Sequence, residues 1–198
     1  MEPNNIRLDH RVIVDLIPTG VSVLDLGCGN GDLLYMLIKE KQVKGQGIEI
    51  DEHAIYKCVA KGLNVFHDDI DAGMSDYEDS SFEYVIFNQS LQQVQHLESV
   101  LMDALRVGKK IIVGFPNFAY YRSRFQLFFL GKAPVTPSLP YLWYDSPNLH
   151  FLSISDFTDY CWTKNLTIER SVYLGKTRQI SFYPNLFANL GIFLISRQ

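Results

Sequence analysis

Two short stretches carry residues whose types and spacing could do chemistry. In the first, Val23-Leu-Asp-Leu-Gly-Cys-Gly-Asn-Gly31, an apolar run leads through Asp25 into Gly27, Cys28, Gly29, Asn30 and Gly31. Glycine tolerates positive φ and, lacking a Cβ, lets a ligand approach the main chain closely. Where such a loop joins a buried strand to a helix in a doubly wound sheet, nucleotides dock. In the second stretch, Gly47-Ile-Glu-Ile-Asp51, Glu49 stands eighteen residues past Gly31. An acid at the end of the next strand can accept hydrogen bonds from both hydroxyls of a ribose, and Glu49 is assigned that role. Asp51 is expected to cap the following helix instead, because Asp is a good N-cap. A dinucleotide site fits less well, since its fingerprint is G-x-G-x-x-G and the glycines here are spaced G-x-G-x-G. A glycine turn that binds nothing is the plainer alternative, and the placement of Glu49 weighs against it.

Other candidate groups are less specific. Tyr120, Tyr121, Tyr144 and His150 could sit over a pocket, with Gln92 and Asn117 at strand ends. A base matters only if an acceptor must lose a proton, and it must then lie within hydrogen-bond reach. Aromatic packing for the tyrosines and a structural hydrogen bond for His150 are the favoured readings, so no catalytic residue is assigned. Cys28, Cys58 and Cys161 are odd in number and widely spaced, and His10, His53, His67, His96 and His150 show no paired ligand spacing. No metal site or disulfide framework is expected, and a reducing compartment fits.

The elements that must position these groups follow from periodicity. Val21–Leu26, Val43–Ile50, Leu63–His67, Phe82–Phe87 and Lys109–Phe115 are strand-length runs rich in β-branched or aromatic residues. Between them, Leu33, Leu34, Leu37 and Ile38 share one helical face, as do Ala54, Ile55, Cys58 and Val59. A third helix runs through Val94, Leu97, Leu101 and Leu105 and is expected to stop at Gly108. This alternation predicts an α/β fold with a doubly wound, mainly parallel sheet. A helical stretch is expected over Phe118–Leu130, burying its aromatics against the sheet, followed by a proline-rich loop. A helix over Asp156–Lys164 and strands over Leu166–Tyr173 and Ile192–Arg197 close the chain. One domain over residues 1–198 is expected, with 117–150 as a lid or interface insertion.

The glycine loop with Asp25 and Glu49 resembles that of class I S-adenosylmethionine-dependent methyltransferases. Further segments narrow the resemblance: Asn88-Gln-Ser-Leu-Gln-Gln93, Gly114-Phe-Pro-Asn117, Leu139-Pro-Tyr-Leu-Trp-Tyr144 and Ser146-Pro-Asn-Leu-His-Phe151. Together these look like the family of methionine-biosynthesis proteins called MetW, from about Val12 to Lys164. Asn30 and Ile48 depart from an acid and a valine frequent in that family. The resemblance implies a Rossmann-like, seven-stranded sheet whose last strand runs antiparallel beside the fifth. It implies S-adenosyl-L-methionine or S-adenosyl-L-homocysteine as cofactor. Asp25 would help to hold the loop and the methionine ammonium, with Gly27, Cys28, Gly29 and Gly31 beneath the ligand. Glu49 and Ile50 would meet the ribose, and Asp69 and Ile70 the adenine, with Asp68 the near alternative to Asp69. Asn88 would complete the set. The bland reading of Asp68, Asp69 and Asp71 is an acidic, solvated loop.

The resemblance also implies a link to the homoserine O-acyltransferase step of methionine synthesis, with that acyltransferase as partner. Arg122 and Arg124 beside Phe125, Phe128 and Phe129 are candidate contacts. An active methyltransferase on an unidentified small molecule or protein is the alternative. The formal net charge of −4 supplies no electrostatic footprint for nucleic acid. The polar N-terminal MEPNNIRLDH lacks a signal-peptide core, and no apolar stretch is long enough to span a bilayer, so a cytoplasmic protein is expected.

Overall fold

The computed structural model describes residues 7–197; the polar segment Met1–Ile6 lies outside them. The elements, in order, are α1 (Leu8–Leu16), β1 (Ser22–Leu26), α2 (Asp32–Lys41), β2 (Lys44–Glu49), α3 (Glu52–Ala60), β3 (Val65–His67) and β4 (Phe82–Asn88). They continue with α4 (Leu97–Val107), β5 (Gly108–Pro116), α5 (Tyr121–Phe125), α6 (Ile154–Thr163), β6 (Leu166–Leu174), α7 (Pro184–Phe187) and β7 (Leu190–Arg197). The seven strands form one sheet in the order β3-β2-β1-β4-β5-β7-β6. The first five are parallel, and β7 runs antiparallel between β5 and β6, pairing Ile112 with Leu194 and Gly114 with Ile192. The order turns back at β1–β4, where a doubly wound sheet opens its crevice at the carboxyl ends of the strands.

Strand alternation explains why both faces are covered. Leu24, Leu26, Val85, Phe87, Ile111, Val113, Phe193 and Ile195 pack on one side with α4 and α6. Val23, Tyr84, Ile86, Ile112, Ile192 and Leu194 face the other side, with α1 and α2. The central strands therefore read as continuous apolar runs.

Several expectations need correction. Helix α1 is not among the elements that periodicity predicts, although its Val12, Ile13 and Val14 are buried. In α3 only Ala54 and Cys58 are buried, while Val59 is 60% exposed, because the short strand β3 at the sheet edge gives the helix little to cover. Gly108 follows α4 directly, but its φ is −108° and it opens β5. A left-handed cap is therefore not its role: a Cβ there would lie 2.5 Å from Val85 Cγ2. The helix expected from Phe118 starts only at Tyr121 and widens to a π-helical turn over Gln126–Leu130. Phe125, Phe128 and Phe129 stand outside the sheet packing, with Phe128 82% exposed. Helix α6 starts two residues early because Ser153 and Asp156 form a reciprocal capping box.

Candidate functional site

The loop after β1 is built from main-chain bonds. The N–H groups of Gly27 and Cys28 both donate to the Ile48 carbonyl at 2.9 and 3.1 Å, tying the loop to the end of β2. Gly27, Gly29 and Gly31 have φ of 72°, 55° and 74°, the left-handed region that favours glycine. Each of the three faces something different. A Cβ on Gly27 would lie 2.7 Å from Ser90 Cβ, and one on Gly31 would meet Leu63 Cδ1 at 2.4 Å and Cys58 Sγ at 2.8 Å. Around Gly29 there is no protein atom within 4 Å of that position, so its face is open.

Glu49, at the end of β2, closes this arrangement. Its Oε2 accepts the Gly29 N–H at 2.7 Å, and its Oε1 accepts the N–H groups of Ile50 and Asp51, both at 2.9 Å. Asp51 caps α3 by accepting the His53 N–H at 2.9 Å. Asp69 caps the 3-10 turn Ile70–Ala72 by accepting the Asp71 N–H at 2.9 Å. Asp71 in turn accepts the Gln95 and His96 N–H groups at 2.9 Å. Its partial burial acts to raise its pKa, but these backbone donors outweigh that and hold it below the ordinary value.

A cavity of about 420 Å³ opens above the loop, with Gly27, Gly29, Glu49, Ile50, Asp69 and Ile70 in its wall. Asp71, Gln89, Ser90, Gln93 and Val94 complete it. Six of the ten residues expected at a cofactor site thus line one cavity. Asp25, Cys28, Gly31 and Asn88 do not. Cys28 packs towards Gly47, and Gly31 fits against Leu63 and Cys58. Asn88 turns away and donates to Asp9 Oδ2 at 3.1 Å. The five added residues were missed as ligand contacts, although Gln89, Ser90 and Gln93 lie in the Asn88–Gln93 segment already singled out. For all of these but Asp71 the signal is position: they follow the carboxyl end of β4, beside the point where strand order reverses.

Asp25 lies beneath the loop, 2% exposed, and its Oδ2 has no hydrogen-bond partner. Burial, reinforced by the nearby charge of Glu49, pushes its pKa up to about 7. Burial also raises the thiols of Cys28 and Cys58, so neither is poised as a thiolate. Cys58 Sγ instead donates to the Gly29 carbonyl at 3.2 Å.

The candidate acid–base residues stand elsewhere. Asn117 is a buried clamp, donating to the carbonyls of Asn185 and Ala188 at 3.0 and 2.9 Å. Gln92 donates to the Gln89 carbonyl at 2.7 Å, behind the cavity wall. Tyr120 and Tyr121 pack edge to face at 4.6 Å. His150 borders a separate depression with Leu97 and Phe157, and Tyr144 is exposed. Among the described residues, no cluster of side chains could hold a metal ion, and no helix is long and apolar enough to cross a membrane.

Known structures share this architecture. A putative S-adenosylmethionine-dependent methyltransferase from Listeria monocytogenes superposes with a TM-score of 0.71 at 12% identity, covering 95% of this chain and 96% of that one. A SAM-dependent methyltransferase from Archaeoglobus fulgidus gives 0.69 at 15% identity, covering 96% and 91%. At such identities the likeness establishes the Rossmann-like methyltransferase fold alone. A bifunctional methionine biosynthesis protein MetXA/MetW from Rhodopirellula baltica is 32% identical over 99% of this chain, which spans 34% of that relative's length. The family model described as methionine biosynthesis protein MetW matches residues 7–195. A match over nearly the whole chain, with a relative above 30% identity, places this protein in the MetW family.

Proposed function

We propose that this protein binds S-adenosyl-L-methionine, or S-adenosyl-L-homocysteine, in the 420 Å³ cavity and acts with or regulates a homoserine O-acyltransferase. The observation that carries the reading is the pairing of Glu49 with the open face of Gly29. A carboxylate anchored by three N–H donors is preset to receive ribose hydroxyls beside a main chain that a ligand can touch. Ile50 and Ile70 offer apolar surface to a purine ring, and Asp69 a carboxylate at its edge. Gly27 and Gly29 keep the floor free of side chains, and Asp25, with its orphaned oxygen, acts from below on the loop and on a ligand ammonium. S-adenosyl-L-methionine, unlike its demethylated product, would supply an electrophilic sulfonium methyl group, for which alignment more than covalent assistance sets the rate.

The partner reading draws support from the relative whose name joins MetXA to MetW, and from the aromatic surface at α5. Phe125, Phe128 and Phe129 are exposed beside Arg122 and Arg124, a composition that interfaces enrich. We take the segment 117–150 as the face offered to the acyltransferase.

Calorimetry with both cofactor forms tests the first half, using wild type and Glu49→Ala. The variant is expected to bind about tenfold or more weakly, the worth of hydrogen bonds to a charged group. Equal affinities would remove Glu49 from the site. Acyltransferase rates with and without this protein test the second half. A rate indifferent to it, together with methyl transfer to some acceptor, would favour an active methyltransferase instead.

A further inference from the structure

A second cavity, of about 270 Å³, adjoins the first across Gln89, which lines both. Arg7, Asp9, Pro137, Ser138, Lys176 and Asn189 are among its other walls, drawn from α1, the proline-rich loop and the β6–β7 connection. We propose that this cavity binds a small carboxylate bearing a hydroxyl or amino group. It does not rest on the cofactor reading.

Charge selects the carboxylate. Arg7 Nε and Nη2 donate to Asp9 Oδ1 and Oδ2 at 3.1 and 2.6 Å, a two-point pair that holds the guanidinium in place and cancels the acid. Asp9 Oδ2 is further occupied by Asn88 Nδ2 at 3.1 Å and Gln89 Nε2 at 2.9 Å. Arg7 Nη1 keeps its hydrogens, and Lys176 joins no ion pair among the described residues. The wall therefore carries one uncompensated positive charge and a free guanidinium edge, the complement of one carboxylate.

Two further observations point to a ligand. Asn189 is 6% exposed, and its Oδ1 is buried with no hydrogen-bond partner. A half-turn of its carboxamide presents either an acceptor or a donor to the cavity, matching a hydroxyl or amino group. An unmet buried amide is costly, and a ligand would satisfy it. Gln89 holds a φ of 64°, which non-glycine residues rarely adopt. Bonds from its N–H to the Gly114 carbonyl at 2.7 Å, and from Gln92 to its own carbonyl at 2.7 Å, keep it there. Strain of this kind concentrates where side chains must be aimed at ligands. The volume lies just below the ~300–1,000 Å³ of cavities that take drug-sized molecules, so it suits a metabolite of a few heavy atoms.

Titration calorimetry without cofactor tests this, using L-serine, glycerate and, as the probe lacking a carboxylate, ethanolamine. The two carboxylates should bind and ethanolamine should not. A preference for L-serine identifies the amino form as ligand, and a preference for glycerate the hydroxy form. Lys176→Glu should weaken carboxylate binding about tenfold or more, while Lys132→Glu, an exposed lysine outside the cavity, should leave it unchanged. Unchanged far-UV circular dichroism would certify the fold of both variants. Binding of neither carboxylate at 50 mM (roughly the weakest affinity of interest), or equal losses in the two lysine variants, would overturn the proposal.

Discussion

Asp25 is an ionisable group in a place that disfavours its charge. Its pKa is raised from 3.8 to about 7 in the folded chain, so between those values the folded state holds a proton that the unfolded state has released. Stability contributed by this group is therefore present below pH 4 and is lost as pH rises through about 7. His10 works in the opposite sense: burial lowers its pKa, so its contribution is lost as pH falls below its ordinary value. The difference between wild type and Asp25→Asn separates the two. Urea unfolding should show the variant gaining on wild type from pH 4 to pH 8, by about 2–4 kcal/mol at the upper end. Parallel pH profiles would contradict the buried, uncompensated carboxylate.

The turn between β1 and α2 makes a prediction of its own, because its glycines are constrained differently. Gly29→Ala meets no protein atom and should cost only the left-handed backbone, about 1–2 kcal/mol, while placing a methyl on the face offered to the cofactor. Gly31→Ala bears the same backbone cost and also drives Cβ into Leu63 and Cys58, so it should destabilise by ~3 kcal/mol or more. Thermal unfolding should rank Gly31→Ala below Gly29→Ala, and cofactor titration should find Gly29→Ala folded but impaired. Helix α6 offers a simpler check. Ser153→Ala removes the Oγ that accepts the Asp156 N–H at 3.1 Å and should cost about 1 kcal/mol in denaturant titrations.

At the scale of the whole molecule, the exposed aromatics of α5 and its π-helical turn depart from ordinary surface chemistry. Phe128 and Phe129 pack edge to face on each other at 4.8 Å while remaining 82% and 66% exposed. Replacing both with Ser should leave the melting temperature of the isolated chain within a degree or two, since little burial is lost (roughly 0.5 kcal/mol or less). Co-purification with the acyltransferase should fall sharply with the same change. Arg122→Glu with Arg124→Glu should weaken that association through repulsion and leave cofactor titration unchanged, since neither arginine lines the 420 Å³ cavity. Retained co-purification in both double variants would move the interface elsewhere.

Much of this architecture was legible in residue order because it depends on local periodicity. Five strands and the three helices between them announce themselves through β-branched runs and a repeating apolar face. The three glycines stand out because a strand–turn–helix joint admits few residue types at positive φ, and Asp25 and Glu49 because they are acids in otherwise apolar strand ends. Helix α1 did not stand out, because its burial depends on the sheet face it meets. Phe125, Phe128 and Phe129, expected to bury against the sheet, stand exposed instead, because apolar content alone does not say which face is covered. Gln89, Ser90, Gln93 and Val94 reach the cavity only because β4 lies beside β1 in the folded sheet. The second cavity gathers Arg7, Gln89, Ser138, Lys176 and Asn189 from four separate parts of the chain. Local sterics and hydrophobic period act over a few residues and can be read along the chain. Which distant side chains share a cavity follows from strand order and crossover packing, which exist only once the sheet has closed.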